Sequence, residues 1–393
     1  MKKTLLVLAA AVSAAALFAA DVQIPKTKLY KLYEKDFLIG VALPQQVPNQ
    51  KKGDRARLVI SQFNCVTPEN LMKWDALQPK EDKFEFSAAS EFVKFAQENK
   101  MKIHGHTLIW HSQTPDWVFQ DRNGKPATRK QLLKRMETHI TNVMRRFRGQ
   151  IDAWDVVNEA LNDDGTLRDS KWKQIIGDDY IEYAFEYARL ADPKAKLVYN
   201  DYNAYNPAKR KGILKLVKQL RKRGLIDAVG MQGHWQLNYP DVKLIDESIK
   251  EYAEAGVEVM ITEMDIDVLP SAGYTGADIS QNREYQAELN PYTFEFPEEV
   301  SKKLADRYAD IFKVFEKHRK HIYSVTIWGL DDGTSWLNDF PVKKRTNHPL
   351  LFDRHLKAKP CYDALVELKE TPHVKSGTSN GKMPGRLGSD TDS

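Results

Sequence analysis

The stretch Trp154–Ala160, "WDVVNEA", decides how the rest of the chain is read. Together with Ile151 and Ala153 it makes a short apolar run of strand length that ends on Asn158 and Glu159. Such a run fits a strand buried on both faces, and its polar end falls where the strand would surface. The run Glu258–Asp265, "EVMITEMD", repeats the pattern and delivers Glu263 and Asp265 in the same way.

Working outward, further apolar runs occupy Phe37–Leu43, Leu58–Val66, Lys102–Trp110, Lys196–Tyr199, Ala228–Met231 and Tyr323–Trp328. Most are followed by a segment of helical period. In residues 86–100, Phe92, Phe95 and Ala96 share a face and Ser87 is a candidate N-cap; residues 129–147 also have helical spacing. Strands alternating with helices imply parallel strands joined by crossovers. Eight units of about forty residues fit an α/β fold of the (β/α)8 (TIM) barrel type, a single catalytic domain. A doubly wound sheet is the alternative, but no glycine-rich phosphate turn follows the first run.

The chain has 393 residues and a net charge of +5. Residues 1–20, "MKKTLLVLAAAVSAAALFAA", combine two lysines, an apolar run and small residues, which predicts a secretory signal peptide. Its removal leaves +3, a balance that offers nothing to nucleic acid, and no other stretch is apolar enough to span a membrane. The basic run Lys209–Arg223 has helical spacing and is expected to be a solvated helix face. Residues 21–370 are expected to form the catalytic domain. From Thr371 the chain turns rich in Gly, Ser and Asp, which predicts a disordered tail over 371–393. Residues 269–297 read as a long insertion after the seventh strand. The two cysteines, Cys65 and Cys361, are expected to be buried free thiols.

In barrels of this type catalytic groups sit at the C-terminal strand ends. The ends here carry Glu69, Asn70 and Lys73; His106, Trp110, His111 and Gln113; Asn158 and Glu159; Asn200, Asp201, Tyr202 and Asn203; Gln232 and His234; Glu263 and Asp265; Trp328, Asp331, Asp332 and Trp336. Singly, each is a structural histidine, a core tryptophan or a helix cap. Jointly they would cost stability at one end of a barrel unless a polar ligand uses them. Amides, imidazoles, a lysine and flat indoles together suit a sugar. A metal site on His104, His106 and His111 is the weaker alternative, because His111 lies beyond Trp110. Cleavage of a glycosidic bond needs two carboxyl groups flanking it, and Glu159 and Glu263 come from strands that face each other across a barrel mouth.

The motifs "PENLMKW" (68–74), "GHTLIWHSQTPDW" (105–117), "WDVVNEA", "YNDYN" (199–203), "QGHW" (232–235), "ITEMDID" (261–267) and "WGLDDGTSW" (328–336) occur in that order. On these, the chain over roughly Leu29–Leu368 resembles the endo-1,4-β-xylanases of glycoside hydrolase family ten. Gly233 departs from the pattern, standing where many relatives carry Ser. The resemblance implies Glu159 as general acid/base and Glu263 as nucleophile, with His234 and Asp265 orienting it. It implies sugar contacts from Glu69, Asn70, Lys73, His106, Trp110, Gln113, Asn158, Tyr202, Gln232, Trp328 and Trp336. It further implies retention through a covalent intermediate, no cofactor and no metal, and xylan or xylo-oligosaccharide as substrate. No nucleic acid or membrane partner is expected, the protein is expected to be a secreted or periplasmic monomer, and a β-1,4-glucanase on the same scaffold is the alternative activity.

Overall fold

A computed structural model of the chain describes residues 22–271, 278 and 284–370. The expected signal segment, the tail and part of the 269–297 insertion lie outside these described residues. Among the described residues nine strands follow in order: β1 (Leu38–Leu43), β2 (Cys65–Pro68), β3 (Lys102–Gly105), β4 (Ala153–Asn158), β5 (Lys196–Asp201), β6 (Ala228–Met231), β7 (His234–Gln236), β8 (Glu258–Asp267) and β9 (Ile322–Ile327). All pairings are parallel: β1 to β6 pair in sequence, β6 pairs β8, β8 pairs β9, and β9 returns to β1. Eight strands therefore close a barrel, and the three-residue β7 extends the upper end of β8.

Every residue of β4 is buried, as is nearly all of β8, because one face looks into the barrel and the other meets the helical ring. The interior face begins with an apolar plug of Ala153, Val198, Ala228 and Met260, a cluster separate from the main core. Strand side chains alternate, so the residues two positions further up share the plug's face. They are Asp155, Asn200, Gly230 and Thr262. The barrel interior thus turns from apolar to polar within one layer. A register shift in β4 between Asp155 and Val157 then brings Asn158 opposite Asn200.

Two details of these elements differ from the sequence expectations. Leu58–Gln62 belongs to a helix, Asp54–Gln62, and only Cys65–Pro68 is strand. The apolar run there mixes a helix's inner face, Ala56, Leu58 and Val59, with the start of the strand, and a short run does not separate the two. Ser87 is the first helical residue of Ser87–Glu98, and Phe86 precedes it without a side-chain cap. By contrast, Thr128 and Gln131 form a reciprocal capping box for Arg129–Arg146. The two cysteines are buried free thiols.

The basic run lies in helix Pro207–Lys222, capped by the Asn206 side chain. Most of its lysines face solvent, but Lys209 is fully buried and Arg210 nearly so. Lys209 Nζ lies 2.8 Å from Asp201 Oδ1 at the top of β5, and Arg210 pairs with Glu251 at 3.0 Å. The first turn of this helix is therefore an internal clamp on the barrel mouth. Burial already pushes the Asp201 carboxyl up, against the pull of Lys209. Replacing Lys209 with Met should strand that carboxylate and destabilise the protein by about 3–5 kcal/mol. Urea unfolding measures this. The deficit should be larger at pH 8 than at pH 5, because below the raised folded pKa Asp201 takes up a proton and its uncompensated charge disappears.

Candidate active site

Thirteen of the residues expected to handle a sugar line a single cleft of about 170 Å³ at the barrel mouth: Glu69, Asn70, Lys73, His106, Trp110, Gln113, Asn158, Glu159, Gln232, His234, Glu263, Trp328 and Trp336. Asp265 stands directly behind His234. Tyr202 also lies outside this lining. Its hydroxyl is bonded by Arg168 at 2.6 Å, and its ring lies 3.5 Å from the Lys209 ammonium.

Glu263 arrives on β8. The His234 imidazole spans two carboxylates, with Nε2 3.2 Å from Glu263 Oε2 and Nδ1 2.9 Å from Asp265 Oδ1. A ring between two carboxylates is best satisfied as the imidazolium, donating from both nitrogens. Burial opposes that charge, but Asp265 and Glu263 outweigh it and push His234 up to about 10. Asn200 Nδ2 donates to the other Glu263 oxygen at 2.7 Å. Burial alone would raise the Glu263 carboxyl. The His234 hydrogen bond and the charges of His106 and His234 overcome it and hold the group below the usual glutamate range.

Glu159, one residue beyond β4, has the opposite environment. Its carboxyl accepts from Trp110 Nε1 at 2.8 Å and from Gln232 Nε2 at 3.0 Å, both neutral donors. Burial dominates, the Gln232 bond opposes it only in part, and the negative charges of Asp201 and Glu263 add to it, so the carboxyl is pushed up to about 7. Its backbone sits at φ +57°. That left-handed conformation costs a residue with a Cβ about 1–2 kcal/mol, so the surroundings must impose it.

The remaining lining completes the cleft. Lys73 donates to Asn70 at 2.9 Å and Gln113 at 2.8 Å and lies 4.9 Å from the Trp110 ring centre. Burial pulls its ammonium down, while Glu263, Glu69 and Glu159 pull it up. Glu69 is raised chiefly by burial, with the neighbouring Lys73 opposing. The Trp328 ring stands edge-on to His106 at 5.4 Å. Trp336 donates from Nε1 to Asp265 Oδ2 at 2.8 Å and stacks on Phe340. The Gln232 side-chain oxygen is buried and has no hydrogen-bond partner among the described residues.

Asp155 carried no role in the sequence reading, and Asn200 appeared there only among the polar strand ends. Asp155 bonds His104 and His106, each at 2.8 Å, so both imidazoles are structural partners of one buried carboxylate. Asn200 donates to Asn158 and Glu263 and accepts from Thr262. A Cβ on Gly230 would lie 2.3 Å from Asn200 Oδ1, so the side chain crosses the barrel only because β6 carries glycine there. Alternation along the strands, Ala153 to Asp155 and Val198 to Asn200, is the sequence signal that points both inward. Gly233, at φ +85°, adopts a conformation that strains any other residue.

Two buried carboxyl groups of opposite protonation, inside a cleft of amides, imidazoles and indoles, can deliver a proton and a carboxylate nucleophile to one bond. The fold and cleft define a (β/α)8 hydrolase of glycosidic bonds. The family model described as "Glycosyl hydrolase family 10" matches residues 28–368, and the chain belongs to that family. It is 46% identical over 338 residues to endo-1,4-beta-xylanase A of Xylanibacter ruminicola, covering 86% of this chain and 92% of that protein. It is 42% identical over 346 residues to an endo-1,4-beta-xylanase of Geobacillus stearothermophilus, covering 86% and 98%. A GH10 endoxylanase structure from a sugarcane soil metagenome superposes with a TM-score of 0.83 at 44% identity, covering 86% of this chain and 99% of that one.

The two shifts set the pH response. A proton donor is active below its pKa, and a carboxylate nucleophile above its own. The kcat/KM profile should be a bell with an alkaline limb near pH 7 from Glu159 and an acid limb below 4.5 from Glu263. In Asp265→Asn the His234 ring loses half of its negative surroundings, so the acid limb should move to higher pH. An unmoved acid limb would contradict the His234 relay.

Proposed function

We propose that this protein is an endo-1,4-β-xylanase that cleaves internal xylosidic bonds with retention of configuration. The observation that carries the mechanism is the opposed environment of the two glutamates: Glu159 raised to about 7, Glu263 held low by His234. Ionised Glu263 attacks the anomeric carbon while Glu159 gives its proton to the departing glycosidic oxygen. One C–O bond breaks as the bond to the Glu263 oxygen forms. Glu159, now a carboxylate, takes a proton from water, which attacks the same carbon and frees Glu263. Asn158, Gln232 and His106 are assigned to the sugar being cleaved. Glu69, Asn70, Lys73, Gln113 and Trp336 are assigned to that sugar and the next one outward. Tyr202 is assigned to the leaving-group side, and its hydroxyl accepts a hydrogen bond from Arg168 at 2.6 Å. The reaction uses no cofactor. We also propose that residues 1–20 direct secretion, that 371–393 is a tail outside the catalytic unit, and that the enzyme acts as a monomer. No helix among the described residues is long and apolar enough to cross a membrane.

Glu159→Ala tests the retaining reading. An activated aryl xylobioside needs little acid help, so its phenol should appear in a burst, followed by slow turnover. Azide should restore turnover and yield the β-xylosyl azide. Equal loss on xylan and activated substrate, without rescue, would refute the assigned roles.

Trp336 tests selectivity against glucose, whose exocyclic hydroxymethyl group we assign it to exclude. Because its indole nitrogen also holds Asp265, Trp336→Ala should both raise the aryl cellobioside to aryl xylobioside rate ratio and lower kcat on xylan. An unchanged ratio would place the excluding wall elsewhere.

A further inference from the structure

The segment after Glu159 makes a closed excursion. Leu161 and Leu167 form an antiparallel bridge, Asn162 bonds Thr166, and Gly165 turns the chain at φ +81°. Arg168 N donates back to Ala160 O at 2.7 Å, so eight residues leave the barrel mouth and return beside their starting point. What they bring back is a guanidinium. Arg168 Nε donates to the Glu159 carbonyl at 3.0 Å, Nη2 donates to Tyr202 Oη at 2.6 Å, and Nη1 lies 3.4 Å from Asp278. The Arg168 side chain is largely buried, at 16% exposure.

The Glu159 backbone is held on three sides. Its N–H donates to Asn200 O at 2.9 Å, and the next N–H, of Ala160, donates to Tyr199 Oη at 3.2 Å. Tyr199 itself donates to Asp201, the partner of Lys209. Two of these anchors belong to the rigid strand β5. The third, on the carbonyl, is Arg168. A left-handed residue without that anchor can rotate its peptide and swing the carboxyl away from the line of proton delivery, even while Trp110 and Gln232 stay in place.

We propose that Arg168 is a positioning residue for the proton-transfer step, fixing the Glu159 peptide so that the carboxyl reaches the departing glycosidic oxygen. The proposal rests on the reading of Glu159 as the acid. It assigns the geometry of the excursion a purpose within the reaction: the loop returns one side chain to the carbonyl it left. Arg168 is not among the residues lining the cleft and also bonds Tyr202, so the leaving-group dependence of its loss, rather than the loss itself, reports its action through Glu159.

The test is a leaving-group series. For the full chain, kcat/KM on aryl β-xylobiosides reports the bond-breaking step, and the dependence on phenol acidity reports how well the acid is placed. In Arg168→Met, the most activated dinitrophenyl substrate should stay within about threefold of the unaltered enzyme, while the unsubstituted phenyl substrate and xylan should fall about tenfold to a hundredfold, the scale expected for a small misplacement of a catalytic group. Arg168→Lys, which keeps the charge but lacks the planar fork, should lie between the two. A parallel fall across the whole series, with an unchanged slope, would make Arg168 merely structural and overturn the proposal. If Arg168→Met does not fold, the Lys variant decides by the same criterion. Glu159→Ala separates the proposal from its premise: it should show the steepest slope of all, and a flat slope there would overturn the acid assignment and the proposal together.

Discussion

The ion triad Asp265–His234–Glu263 is the interaction on which the mouth of this barrel depends. An imidazole held between two carboxylates at 2.9 and 3.2 Å keeps the buried Glu263 carboxylate charged where burial alone would protonate it. That charge in turn helps to keep its neighbour Glu159 protonated, since two buried carboxyl groups in one cleft do not both ionise readily. Removing the imidazolium would therefore disturb both protonation states. Trp336 ties the same triad to the cleft wall through Asp265, so the cleft wall and the charge relay share one carboxylate.

The fold supplies this chemistry by a change of polarity inside the barrel. The plug of Ala153, Val198, Ala228 and Met260 closes the lower interior, and one strand period higher the same faces carry Asp155, Asn200, Gly230 and Thr262. Asn200 reaches Asn158 and Glu263 through space that Gly230 leaves open, and Asp155 aligns His104 and His106. These supporting polar groups are nearly all satisfied among themselves, which is what a buried network needs to fix side chains in one geometry.

Much of this was legible in the chain. Buried runs that end in carboxylates and amides point to a parallel barrel with its chemistry at the C-terminal strand ends, and the order of motifs selects the two glutamates. The supporting layer was less legible. Asp155 sits among apolar neighbours in mid-strand, where sequence alone does not say that its partners are histidines on another strand. Lys209 was hidden in a run of lysines that mostly do face water; only the packing of one helical turn against Asp201 sets it apart. Leu58–Gln62 misled because a helix's apolar face and a strand's apolar run look alike over five residues. Trp110 lines the cleft as expected, and sequence alone does not say that its indole nitrogen also donates to Glu159. Contacts between segments distant in sequence decide each of these cases.

The division of protonation between the glutamates can be observed directly. Carboxyl carbon NMR of glutamate-labelled enzyme, with Glu159→Gln and Glu263→Gln variants to assign the signals, follows both groups through pH. The account predicts a Glu159 midpoint near 7 and a Glu263 midpoint below 4.5, with the Glu159 midpoint falling when Glu263 is replaced by Gln. Two carboxyls titrating together near the usual glutamate value, or Glu263 above Glu159, would contradict it.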